Sequence, residues 1–122
     1  MSAVNAYSVF SISSDETLAT GTKGRFIAPC DGKIVAVKAC VLTAPVGASV
    51  ILDVNKGGTT IFTTQANRPT VAAAATTATL AGAPDVVEFS AGDVITVDVD
   101  QVGSTTAGTG FTVSVAFEGK TA

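Results

Sequence analysis

The chain has 122 residues, of which 47% are hydrophobic and only 14% charged, with a formal net charge of −3. That is enough apolar material for one domain with its own core, which excludes a disordered chain, and no run approaches the ~20 apolar residues of a membrane-spanning helix. There is no basic stripe to release counterions, so nucleic acid is not an expected partner. The charge is uneven: residues 1–61 carry five Lys/Arg against four acids, residues 62–122 two against six.

Aromatics make up 6%, Trp and His are absent, and Ala, Val, Thr and Gly dominate. These are residues of strands and tight turns. So little charge leaves two readings: a small Thr-rich surface that is simply wet, or a surface partly covered by copies of the chain or by a partner. We take the second as the working expectation.

Residues 1–20 read as an N-terminal strand or extended arm. Within AVNAYSVFSIS, Val4, Ala6 and Phe10 hold no single parity, and Ser14, Asp15 and Glu16 break the run. Tyr7 and Phe10 are candidate anchors for a partner, with core packing as the alternative. Residues 21–122 read as one sandwich domain. Residues 17–23 are polar and form a connection, and residues 25–28 a short strand ended by Pro29, which has no N–H to give to a ladder. Asp31-Gly32 is a turn signal. In KIVAVKACVLT, residues 33–43, Val35, Val37, Ala39 and Val41 share one face. The other, Ile34, Ala36, Lys38, Cys40 and Leu42, is also mostly apolar, which predicts cover on both sides, by a loop or by another subunit.

After the Pro/Gly corner APVGA, Val50, Leu52 and Val54 alternate with Ile51, Asp53 and Asn55. Asn55-Lys56-Gly57-Gly58 is a hairpin loop, and residues 59–64 return as a β-branched strand. Residues 65–84 are rich in Ala and Thr without a period. A structureless stretch of this length is unusual in a compact domain. It hides either a short strand or turn, or an excursion that packs on a neighbour, with Arg68, Val71 and Leu80 as candidate contact residues. Residues 85–89 are a short strand. Ile95, Val97 and Val99 then alternate with Thr96, Asp98 and Asp100, and Phe111, Val113, Val115 and Phe117 with Thr112, Ser114 and Glu118. Period two is the strand signature. At roughly 1.5–3 kcal/mol per buried large apolar side chain, these seven supply much of a core. Placed on one inner face, they leave the upstream strands to build the opposing sheet. GSTTAGTG, residues 103–110, reads as a flexible exposed tip. The tally is about eight strands and no helix period: an all-β antiparallel sandwich, with jelly roll preferred over immunoglobulin-like sandwich or small barrel.

No catalytic chemistry stands out. Without His, a Ser-His or Cys-His pair is excluded. Asp98 and Asp100, with Asp93, offer oxygen ligands of the kind Ca²⁺ takes, but two acids on one strand face also read as a solvated surface. No enzyme activity, metal or cofactor is expected. Cys30 and Cys40 lack a metal-ligand spacing. The polar start SAVNAYS is unlike a secretory leader, so folding in a reducing cytosol with free thiols is expected, a disulfide between the two cysteines being the alternative.

Two blocks, APCDGKIVAVKACVLTAPVGASVILDVNKGGTTIF and AGDVITVDVDQVGSTTAGTGFTVSVAFE, resemble small β-rich virion proteins of tailed bacteriophages. Their outline of strand, Asp-Gly turn, strand, APxGA corner, strand and hairpin is similar to complement-C1q-like and tumour-necrosis-factor-like jelly rolls. The resemblance covers residues 24–118. It implies a virion protein that decorates the capsid surface, with the major capsid protein and other copies of itself as partners and a homotrimer as its oligomer. The alternative it leaves is a tail or fibre module that recognises a host glycan or protein. Its motifs are turn glycines and alternating valines, so no family binding residue carries over.

Overall fold

The structure, a computed structural model, describes residues 4–77 and 83–121, without the side chains of residues 4–7 and 120–121. Its strands are β1 (Val4–Thr17), β2 (Gly21–Ile27), β3 (Gly32–Thr43), β4 (Val50–Lys56), β5 (Thr59–Thr60), β6 (Thr70–Val71), β7 (Glu88–Phe89), β8 (Val94–Gln101) and β9 (Thr109–Thr121). They form two antiparallel sheets, one ordered β1-β9-β3-β7 and the other β2-β8-β4-β5, with β6 also on β4. The fold is the expected all-β sandwich.

Alternation holds from Ile95 to Val99 in β8 and from Phe111 to Phe117 in β9, and the seven inward apolar side chains of these runs are buried, while Val94 at the start of β8 is 41% exposed. The placement of the runs differs from expectation. β8 is an inner strand of the β2 sheet and β9 an inner strand of the β1 sheet, so the two runs belong to opposite sheets. Two consecutive alternating strands read equally well as a hairpin or as a crossover. Here residues 102–108 cross from one sheet to the other.

That connection is no flexible tip. Val46 and Thr106 form a bridge, and a Cβ on Gly103 would collide with the Thr106 carbonyl and with Pro45. Gly103 and Gly108 are buried, and only residues 104–106 are fully exposed. The Pro45 carbonyl also accepts the Ala74 N–H at 2.8 Å, and the Gly108 carbonyl accepts that of Leu18 at 3.0 Å. One end of the sandwich is thus a laced corner.

In β3 the register against β9 slips between Ile34 and Ala36. This bulge reverses parity: Ile34 joins Val37, Ala39 and Val41 in the core, and Val35 turns outward at 45% exposure. An extra residue in one strand leaves no mark in a period-two reading.

Residues 59–71 run along β4 as one interrupted strand. Thr59 and Thr60 pair with Lys56 and Asn55. Thr70 and Val71 pair with Ile51 and Val50. Between them, residues 62–68 loop out through a 3₁₀ turn at Gln65–Asn67. Gly57 and Gly58, with φ of 59° and 85°, make the tight β4–β5 turn, both in the left-handed region that a two-residue type I′ turn requires. The periodless stretch therefore does contain a short strand. It also reaches the edge of β3, where Cys40 bridges Thr77 and Val41 donates to the Thr76 carbonyl at 2.8 Å. The loop cover considered for β3 falls on this edge, while Leu42 on the outer side stays 67% exposed.

Candidate interaction surfaces

Register places the outer side chains of the β1 sheet in rows. Val9, Ala116 and Ala36 lie side by side, then Ser11, Ser114 and Lys38, then Ser13, Thr112 and Cys40. Of these nine, Lys38 alone carries charge. Ser11 and Ser114 join their hydroxyls at 2.8 Å, and Val9 is 60% exposed. The result is a flat surface of small side chains. Its polar groups are hydroxyls and one ammonium, so a cover must offer them hydrogen-bond partners.

The outer face of the β2 sheet is different. Asp98 accepts hydrogen bonds from Thr22 and Asn55. Asp100 pairs with Arg68 at 2.8 Å. Asp53, directly across from Asp98 in the ladder, is 6% exposed. One of its oxygens accepts the Val54 N–H at 2.8 Å and the Thr60 hydroxyl at 2.7 Å. Burial raises the Asp53 pKa above the ordinary aspartate value, against the lowering effect of these two hydrogen bonds. Asp85 moves the other way: chiefly the Thr64 N–H, donating at 2.7 Å, holds its carboxyl below the usual range. This bond ties the looped-out segment 62–68 to the chain entering β7.

A polar cleft of about 500 Å³ opens at the end of the sandwich away from the laced corner, lined by residues that include Asp31, Lys33, Lys56, Glu88 and Glu118. Lys56 is held there, its Nζ donating to the Glu88 carbonyl at 2.9 Å. Among the described residues no three metal-ligating side chains cluster, and Asp93 is occupied in accepting the Ser90 N–H at 2.8 Å. No helix among them is long and apolar enough to cross a membrane.

The candidate partner residues are dispersed. Phe10 packs on the core, its ring stacked on Phe26 at 4.3 Å and on Phe117 at 5.2 Å; of the two readings offered for it, core packing is the one seen. Val71 is fully buried, which corrects its assignment as a contact residue, because pairing with Val50 turns it into the core. Arg68 receives its carboxylate from Asp100 of its own chain and also donates through Nε to the Gln65 carbonyl at 2.9 Å. Tyr7 lies on β1 opposite Glu118. Leu80 lies outside the described residues.

Sequence reading missed the buried Asp53. Its signal was available: an acid enclosed by VIL and V in a strand, where Asp is disfavoured. The sparsely charged rows of the β1 sheet were hidden for another reason, since they come from three strands distant in sequence.

No protein-family model matches the chain, and no curated protein matches it.

Proposed function

We propose that this protein is a structural component of a tailed-bacteriophage virion, a decoration (cement) protein that sits on the outer surface of the head, contacts the major capsid protein and stabilises the shell. The observation that carries the reading is the middle of the outer face of the β1 sheet, three rows of small side chains with one charge, Lys38, among them. Such a face has one charge to desolvate and hydroxyls that a partner can hydrogen-bond, and shape-matched contact of that kind suits permanent attachment to a lattice. The resemblance to phage virion proteins supplies the identity of the lattice and the trimeric state. The jelly-roll reading belongs to the same proposal. It is supported by the way strands early and late in the sequence interleave within each sheet, with β9 between β1 and β3 and β8 between β2 and β4.

The test uses purified heads of the source virus. Decoration requires hundreds of copies per head. A handful would favour the tail or fibre module, and none would overturn both. In reattachment to stripped heads, Ala116→Glu, which puts a carboxylate between Val9 and Ala36, is expected to weaken binding at least about tenfold through the cost of burying an unpaired charge. Its melting temperature should stay close to that of the parent, because the site faces outward. Undiminished binding would remove this face from the contact.

A further inference from the structure

We infer that β1 is a pairing edge, and that its occupant is β1 of a second copy, antiparallel across a two-fold axis at Phe10. A strand at the margin of a sheet presents unpaired backbone N–H and C=O groups, and proteins that remain single blunt such margins with charge, proline, bulges or shortness. Of the four margins here, three are blunted. β7 is two residues long, and the β4 side of the other sheet carries the interrupted β5 and β6, two residues each. β2 has a bulge between Thr22 and Gly24 and bears Lys23 and Arg25. β1 is 14 residues long. It has no charge and no proline from Val4 to Ser14, and its register against β9 slips only beyond Ser14. Among the described residues it pairs with β9 alone.

Three features suit a second copy as occupant and set its direction and register. The acids of β1, Asp15 and Glu16, lie together at one end. Antiparallel pairing about Phe10 sets them opposite the Asn5 and Val4 positions of the other copy, whereas parallel pairing would set acid beside acid, which is destabilising. An axis through a residue also keeps inner face with inner face, because opposed positions then share parity, so two four-stranded sheets become one of eight. Finally, Phe10 is only partly buried at this margin, although its ring belongs to the Phe26–Phe117 stack. A second Phe10 directly across would cover its open side.

This contact does not depend on the decoration reading and is tested without heads. It is two-fold, so it adds to any three-fold closure: the isolated protein is a dimer if β1 is the sole contact between copies, and a hexamer if it joins two trimers. The test is light scattering on wild type and on Val9→Lys/Ser11→Lys. Both positions are exposed, and in the paired ladder each new lysine opposes the other copy's. The wild-type particle should be even-numbered, the variant should have half its mass, and mixing the variant one-to-one with Val9→Glu/Ser11→Glu should restore it. A wild-type monomer or trimer, or an even particle that the lysines do not halve, overturns the inference. Should the lysine variant not fold, amide exchange on the wild type reads the same contact: β1 amides must slow as concentration rises, and concentration-independent exchange overturns it.

Discussion

Asp53 is the charged side chain that the fold buries among the described residues. A carboxylate on the outer face of a strand is normally wet, but this one, bonded to the Thr60 hydroxyl, is 6% exposed. Burial is the main cause of its raised pKa, Asp100 adds to the effect, and the Thr60 and Val54 hydrogen bonds and Arg68 oppose it. A carboxyl whose pKa is higher in the folded than in the unfolded protein binds its proton more tightly when folded. The charged form therefore costs stability at neutral pH, and that cost fades as pH falls through the raised folded value. Asp53→Asn keeps an oxygen for both hydrogen bonds and removes the charge. It should melt at or above the wild-type temperature at pH 7, with the difference narrowing toward about pH 4, near the unfolded aspartate value. A gap that widens on acidification would show that Asp53 is stabilised as an anion.

At the scale of elements, the bulge in β3 makes the sharpest claim. Without it Val35 would be core and Ile34 outer; with it Ile34 is 5% exposed and Val35 is 45% exposed. Val35→Asp should then cost no more than about 1 kcal/mol, while Ile34→Asp and Val37→Asp bury an unpaired charge and should prevent soluble folding. Urea denaturation of the first and soluble yield of the others measure this, and loss of folding on Val35→Asp would remove the bulge. The same strand marks what sequence can convey. Alternation in β4, β8 and β9 was legible because burial on one side writes a period of two. What alternation cannot encode is an inserted residue, the sheet to which a strand belongs, or pairing between strands far apart. The bulge, the placement of β8 and β9 on facing sheets and the rejoining of residues 59–71 along β4 depend on those. The candidate surface was obscured likewise: the Thr and Ser outer positions of β9 were visible, but not that Val9 and Ala36 flank Ala116.

For the molecule as a whole, stability comes from the space between the sheets and needs no covalent staple. Cys30 and Cys40 are both free thiols, one partly buried and one exposed. Reductant should leave the melting temperature unchanged in a thermal scan. A clear fall would reveal a disulfide whose loss loosens the unfolded chain. Charge is also unevenly placed on the outer faces, with Asp98, Asp100 and Arg68 on the β2 sheet, and on the β1 sheet Lys33 and Glu118 paired at one end with Lys38 the one charge in the three middle rows. One side is built to stay wet and the other is easily covered.

The position of β9 has a consequence for biosynthesis. It lies between β1 and β3 in its sheet, yet it leaves the ribosome after the other eight described strands. During translation β1 and β3 lack their shared partner, so this half of the domain stays open until β9 has emerged. Long-range pairing of this sort slows folding and prolongs exposure to association with other nascent chains. A truncation that removes β9 would take away an inner strand and the only partner of β1 among the described residues, and should yield insoluble material instead of a smaller folded product.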